Sequence, residues 1–72
     1  MGRKALEVCM QTFKIRVIEE LNELNLKINA LNVFILSNVF KTLDHQDQIL
    51  LQRQLDVMGA YRHILEQRIE RF

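Results

Sequence analysis

The sequence predicts an all-α protein, an antiparallel helical hairpin that assembles with copies of itself into a homo-oligomeric helical bundle. Three observations lead to this fold class. Apolar residues recur every three or four positions along two long stretches, the chain has no proline, and a short polar connection with a good helix-capping residue joins the two stretches. Each stretch also carries apolar residues on a second side, which a single hairpin partner cannot cover.

The first predicted helix spans residues 11–37 and has two apolar sides. The row expected to face the hairpin partner comprises Phe13, Val17, Leu21, Leu24, Ile28, Leu31 and Ile35. The opposite side carries Ile15, Ile18, Leu26, Val33 and Leu36. Between them lies a row of four asparagines, Asn22, Asn25, Asn29 and Asn32. These asparagines either face solvent at the border of the apolar sides, or supply amide groups that fix the register between helices or contact a ligand.

Residues 37–47 are predicted to form the connection, and Asp44 is predicted to cap a second helix over residues 45–71. This helix also has two apolar rows. One row contains Leu51, Leu55, Met58, Leu65, Ile69 and Phe72. The other contains Leu50, Val57, Tyr61 and Ile64, with Arg68 at its end.

Gly59 and Ala60 lie in the middle of the second predicted helix. Glycine at such a position costs ~1 kcal/mol relative to alanine. We therefore expect a backbone or a ligand to approach closely there, with close helix packing as the favoured cause.

A chain of 72 residues makes one small domain, whose core rarely supplies more than ~3–5 kcal/mol by itself. Such chains usually need disulfides, a metal or oligomerisation as well. The single cysteine, Cys9, cannot form an internal disulfide, and with two distant histidines it makes no zinc set. We therefore expect no metal and no cofactor, and we expect self-association to supply the missing stability.

The domain is expected to span residues 11–72. Residues 1–10 are expected to form a short helix or a leader before a start at Met10.

The composition argues against several classes of function. A net charge of +1 argues against DNA binding, which depends on many phosphate contacts. The longest apolar runs are far shorter than the ~20 residues of a membrane span, and no signal-peptide pattern is present, so we expect a cytosolic chain with no membrane partner. The sequence has no nucleophile with a histidine and a carboxylate at useful spacing, no H-E-x-x-H and no glycine-rich phosphate loop. We therefore expect no enzymatic activity.

Three longer patterns carry a family resemblance. They are R-V-I-E-E-L-x-E-L-x-x-K-I-x-x-L-x-x-F-I from Arg16 to Ile35, S-x-x-F-x-x-L from Ser37 to Leu43, and L-L-x-x-Q-x-x-x-M-x-x-Y-x-x-I-L-x-x-R-I from Leu50 to Ile69. Over residues 11–72 the chain resembles the helical-hairpin domain of the phage anti-CBASS cyclic-oligonucleotide sponge, which the phage anti-Thoeris sponge shares. The more specific signs are the pairs K-I at residues 27–28 and R-I at 68–69, and M-x-x-Y at 58–61.

The resemblance implies a phage anti-defence protein that sequesters cyclic di- and trinucleotide immune signals in the host cytoplasm without cleaving them. It also implies a homohexamer with two kinds of pocket. Between paired chains, Lys27 would hold a phosphate of a cyclic dinucleotide and Phe13 would stack on a base. Asn29 would read a phosphate or a base edge. At three-fold meeting points, three copies of Arg68 would hold a cyclic trinucleotide. The family has a tyrosine near the start of its first helix, where this chain has Thr12 and Phe13.

More ordinary interpretations of the two cations remain open. Lys27 can pair with Glu23, one turn earlier on the same helix. Arg68 can form a salt bridge at the rim of an interface, for instance with Glu66 or Glu70 of a neighbouring chain. The alternative hypothesis for the whole chain is a small coiled-coil adaptor or oligomerisation protein. It would bind a protein partner through the same two-sided helices and would not bind cyclic nucleotides.

Overall fold

The computed structural model describes the backbone from Gly2 to Phe72 and the side chains from residue 11 onwards. Helix α1 spans Gly2–Ile35, helix α2 spans Asn38–Lys41 and helix α3 spans His45–Glu70. Helices α1 and α3 pack along each other, which confirms the predicted all-α hairpin. Residues 2–10 continue α1 rather than forming a separate element. Met1 lies outside the described residues, so the expectation of a leader before Met10 stays a prediction.

The contacts between α1 and α3 show the antiparallel register of the hairpin. At its open end the rings of Phe13 and Phe72 lie 6.1 Å apart between centroids. Nearer the turn, Arg62 donates a hydrogen bond of 3.5 Å from Nη1 to the side-chain oxygen of Asn25. The members of each pair lie at nearly equal distances along the chain from Thr42, as antiparallel helices require. One member of the asparagine row thus contributes to the register within the hairpin.

The predicted inner rows form the contact between the two long helices. Leu65 of α3 is 1% exposed, and Val17 and Ile28 of α1 are buried with it. The remaining members of both rows are half-buried, except for Phe13 and Phe72 at the open end, which are exposed. Because so few side chains are fully buried, the core of one chain is a thin seam and not a closed interior.

The predicted second apolar side of each helix is confirmed, and in a single chain it faces solvent. Its aliphatic members are 43–84% exposed, and Tyr61 is 41% exposed. The aliphatic members are Ile15, Ile18, Leu26, Val33 and Leu36 on α1, with Leu50, Val57 and Ile64 on α3. The accessible surface of the chain is 6084 Å², whereas a compact monomer of 8.6 kDa would expose about 4,700 Å². The hairpin therefore exposes much more surface than its mass requires, and the exposed apolar side chains named above are part of that surface.

The connection between the long helices is more structured than the sequence predicted. Helix α1 ends at Ile35, two residues earlier than expected, because the Ser37 hydroxyl donates to the carbonyl of Phe34 at 2.6 Å. Ser37 then caps α2 by accepting a hydrogen bond from the backbone N–H of Phe40. Residues 38–41 of the predicted connection thus form a short helix, which the sequence analysis did not predict. The burial of Phe40, whose ring meets Phe34 edge to face at 6.3 Å, accounts for this turn of helix.

The start of α3 follows the prediction. Asp44 is the N-cap, and its carboxylate accepts from the backbone N–H of His45 at 2.9 Å. Gln48 then ties α3 to the turn. Its side-chain amide nitrogen donates to the carbonyls of Phe40 at 3.0 Å and Leu43 at 3.1 Å. The Phe40 carbonyl also accepts from the backbone N–H of Leu43 at 3.1 Å, so the bond from Gln48 is its second.

Gly59 corrects one expectation about packing. A Cβ atom built at Gly59 would meet nothing within 4 Å. No backbone of the same hairpin approaches this glycine closely, so close packing between α1 and α3 does not explain it. Gly59 is half-buried, yet the space that its side chain would fill is open, so a close approach there could come only from a ligand or another chain.

Leu65 provides a test of this packing. We expect Leu65→Ala to lower the free energy of unfolding by about 2–5 kcal/mol, because it removes the most buried side chain of the seam. The neighbouring exposed Glu66→Ala is the matched control and should change it by less than about 0.5 kcal/mol. Urea denaturation followed by far-ultraviolet circular dichroism measures both. Equal effects of the two substitutions would contradict the described seam.

Candidate functional site

A polar groove lies between α1 and α3, near the middle of the hairpin. Its volume is about 290 Å³, and it is lined by Glu20, Glu23, Leu24, Lys27 and Tyr61. The first four of these residues lie within about two turns on one side of α1, and Tyr61 comes from α3. The predicted phosphate ligand Lys27 therefore faces an open concavity. No hydrogen bond or ion pair engages it within residues 11–72.

One hydrogen bond crosses this groove. The hydroxyl of Tyr61 donates to the carboxylate of Glu20, although the Tyr61 side chain is still 41% exposed. The hydrogen bond to Glu20 raises the pKa of Tyr61 above its ordinary value of 10.0. Burial and the negative charge of Glu20 add to this effect, and the positive charge of Arg68 opposes it. The bond fixes one wall of the groove and joins α1 to α3.

A second concavity lies at the C-terminal end of α3. Its volume is about 400 Å³, and it is lined by Ile64, Gln67, Arg68, Glu70 and Arg71. Two guanidinium groups face it with one carboxylate, so its balance of charge is positive. Arg68, the predicted ligand of a cyclic trinucleotide, is half-buried at its edge. This concavity can therefore offer planar, fork-shaped donors to an anion.

The guanidinium group of Arg68 contacts an aromatic cluster, Phe13 and Phe72, at the open end of the hairpin. The guanidinium carbon of Arg68 lies 5.3 Å from the ring centroid of Phe13. The Phe13 ring contacts Phe72, and the ammonium group of Lys14 lies 5.7 Å from the Phe72 centroid. Each cation–ring contact of this kind contributes about 0.5–1 kcal/mol at exposed sites. The cluster orients Arg68 along the edge of the second concavity.

The structure brings some of the predicted site residues together and separates others. Phe13, which is 49% exposed, lies beside Arg68 and not beside Lys27. Asn29 is exposed, but two positions from Lys27 on a helix means about 200° of rotation, so the two side chains face different directions. Gly59 and Ala60 line neither concavity.

The sequence analysis missed Glu20, Tyr61, Gln67 and Arg71 as members of the two concavities. The motif M-x-x-Y marked Tyr61, yet its partner on α1 depends on the register of the hairpin. For Arg71, a signal was available, because it stands three positions after Arg68 and so on nearly the same side of α3.

Two further findings concern metal binding and membrane crossing by the described residues. They contain no group of three or more His, Cys, Asp or Glu side chains that could hold a metal ion. Among the helices described, none combines the length and the apolar character that crossing a membrane requires.

These features define a small all-helical hairpin protein with an uncovered apolar side and two open polar concavities. The chain belongs to the Sequestin family, whose match covers residues 11–71. It is also 43% identical over 63 residues to an uncharacterized 7.5 kDa protein in the denB-rIIB intergenic region of Enterobacteria phage T4. This similarity covers 88% of the chain and 98% of the phage protein. No solved structure matches the chain with statistical significance.

The comparisons agree in part with the resemblance found in the sequence. The family match covers almost the whole hairpin, and the T4 relative is a phage protein of nearly the same length. Both findings are consistent with a family of phage proteins that sequester a target.

The raised pKa of Tyr61 gives a direct test of the groove. Tyr61 is the single tyrosine of a chain without tryptophan, so the absorbance of its phenolate can be followed alone. We expect a titration midpoint above 10.0, because the hydrogen bond to Glu20 favours the neutral phenol. The folded state gains stability from this bond below pH 10, and loses it as the pH rises through the raised pKa.

Glu20→Gln should move this midpoint back towards 10.0, because the substitution removes the charge of the acceptor. Glu19→Gln, at the adjacent exposed position, is the matched control and should leave it unchanged. A midpoint at or below 10.0 in the unmodified protein would show that Glu20 does not accept this bond in solution.

Proposed function

We propose that this Sequestin-family protein is a phage anti-defence sponge, which binds cyclic di- and trinucleotide immune signals in the host cytoplasm and holds them without cleaving them. The name of the family and the relative in phage T4 support a sequestering phage protein. The resemblance of residues 16–35, 37–43 and 50–69 to the cyclic-oligonucleotide sponges supplies the class of ligand.

The observation that carries the proposal is the position of the two implied cations. Lys27 and Arg68 line two separate concavities of one hairpin, and both concavities are open to solvent. Cyclic dinucleotides carry two phosphates and cyclic trinucleotides carry three, so each copy of the chain in a two-fold or three-fold site would hold one phosphate of the ligand. Charge-assisted hydrogen bonds from Lys27 and Arg68 would supply a large part of the binding energy.

The geometry of α1 requires more than one chain for the dinucleotide pocket. Phe13 and Lys27 lie fourteen positions apart on this helix, which corresponds to ~21 Å along its axis and nearly four full turns. They face almost the same side, but one cyclic dinucleotide cannot bridge such a distance. The two residues can reach the same ligand if Phe13 comes from one copy and Lys27 from another, whose α1 runs antiparallel to the first.

The uncovered apolar side supplies a reason for copies to associate. Leaving eight large apolar side chains in water is unfavourable, and burying each fully would contribute about 1.5–3 kcal/mol. We therefore propose that this side is the interface of a homo-oligomer, which is a homohexamer if the family resemblance holds. Assembly would also close the two shallow concavities, because copies would cover them from outside.

Binding is tested by calorimetry with a panel of cyclic di- and trinucleotides, followed by heating of the complex and chromatography of the released ligand. We expect heat of binding from both classes and recovery of intact rings. The absence of heat for every member would contradict the sponge and favour the protein-binding adaptor. Recovery of linear nucleotides would contradict sequestration and favour hydrolysis.

Two substitutions separate the proposed sites. Lys27→Ala should weaken binding of cyclic dinucleotides by a factor of at least about ten and leave cyclic trinucleotides unaffected, because it removes a cation from the central groove only. Arg68→Ala should have the opposite pattern, with a larger loss because the residue would act three times around the ligand. Exposed Arg53→Ala, which lines neither concavity, is the control. Loss of both ligand classes in one variant would contradict two separate sites.

Assembly is tested by a charge on the uncovered apolar side. We expect the protein to sediment as an oligomer, and Leu26→Lys, at an exposed position of that side, to shift its mass towards the 8.6 kDa of one chain. A buried unpaired lysine is costly, so the interface should not tolerate it. Gln52→Lys on the exposed polar side of α3 is the control and should keep the oligomer. Sedimentation of the unmodified protein at 8.6 kDa would contradict the assembly.

A further inference from the structure

The central groove has an unexpected balance of charge for a phosphate site. It holds two carboxylates, Glu20 and Glu23, and one ammonium group, Lys27. The concavity at the end of α3 has the opposite balance, with two guanidinium groups and one carboxylate. A carboxylate repels a phosphate, so two of them beside Lys27 would weaken a groove whose only task was to hold an anion. Because carboxylates accept hydrogen bonds, Glu20 and Glu23 favour a ligand group that donates them.

A guanine base carries such donors. Its Watson–Crick edge presents N1–H and the exocyclic N2 amino group side by side, and an ionised carboxylate is a pure acceptor with two oxygens. Adenine presents an unprotonated N1 at the corresponding position, whose lone pair faces a carboxylate unfavourably. A groove with carboxylates on its wall therefore distinguishes the two purines by their hydrogen-bonding edges.

The size of the groove suits one nucleotide of a cyclic dinucleotide. Its volume of about 290 Å³ is at the lower limit of ligand pockets, which run from roughly 300 to 1,000 Å³. The second nucleotide of the ring would then lie outside the groove, against another copy of the chain.

The two carboxylates are not equivalent. Glu20 accepts the hydrogen bond of Tyr61, which holds it against α3. No hydrogen bond or ion pair engages Glu23 within residues 11–72. Glu23 and Lys27 lie one turn apart on the same side of α1, so an acceptor and a cation stand next to each other. This arrangement matches a single guanine nucleotide, whose base donates to Glu23 and whose phosphate accepts from Lys27.

We propose that the groove reads guanine, with Glu23 as the specificity-determining residue and Tyr61 and Glu20 as its fixed wall. The inference rests on the proposed function and narrows its dinucleotide ligands to those that contain guanine. The preference belongs to the groove alone, because the arginine-lined concavity at the end of α3 offers mainly donors.

Calorimetry of the full-length protein with cyclic di-GMP, cyclic GMP–AMP, cyclic di-IMP and cyclic di-AMP tests the proposal. Inosine keeps N1–H but lacks the N2 amino group. We expect both guanine-containing ligands to bind about tenfold or more tightly than cyclic di-AMP, with cyclic di-IMP between cyclic di-GMP and cyclic di-AMP. Glu23→Gln should bring the ratio between cyclic di-GMP and cyclic di-AMP close to one without weakening cyclic di-AMP. Glu19→Gln, which lines no concavity, should keep the ratio.

The outcomes distinguish this inference from the function on which it rests. Equal binding of the four ligands by the unmodified protein would overturn guanine recognition and leave the sponge intact. A preference for guanine that survives Glu23→Gln would overturn the role of Glu23. Failure to bind any cyclic dinucleotide would overturn the dinucleotide part of the proposed function itself.

Discussion

Each long helix carries apolar side chains on two sides, and a hairpin can cover only one of them. This constraint governs most features of the molecule. Full burial is limited to Val17, Ile28, Phe40 and Leu65 among the residues whose side chains are described. The surface exceeds that of a compact chain of the same mass, and the two concavities remain shallow. Any chain that covered the second side would add stability to such a structure, and folding would then be linked to association.

The two concavities differ in the chemistry that they offer, although they lie on the same hairpin. The central groove combines acceptors with one flexible ammonium group, and the concavity at the end of α3 combines two rigid planar cations. Arginine binds phosphates by paired donors in a fixed geometry, whereas lysine acts as a point charge. The two cations therefore differ both in their own geometry and in the charges that surround them.

The sequence predicted the features that depend on local spacing. Helical periodicity placed Val17, Ile28 and Leu65 on the inner rows and Leu26 and Val57 on the second apolar side, and capping chemistry placed the start of α3 at Asp44. Features that depend on the pairing of α1 with α3 were not predictable. The bond between Tyr61 and Glu20 and the contact of Arg68 with Phe13 both require the register of the hairpin. That register depends on α2 and the bonds of Gln48, which no periodic pattern in the sequence reveals.

The side-chain amide of Gln48 also has a consequence for the order in which the hairpin forms. It fastens the turn through carbonyls only five and eight residues away, so the turn costs little loop entropy to close. Contacts further from the turn join residues of increasing separation, up to Phe13 and Phe72. We therefore expect the contacts between α1 and α3 to form first next to the turn and last at the open end. The open end should also be the first part to separate in local fluctuations. The groove of Lys27 is nearer the turn, where the two helices should separate less often. Arg68 is near the open end, where they should separate more often.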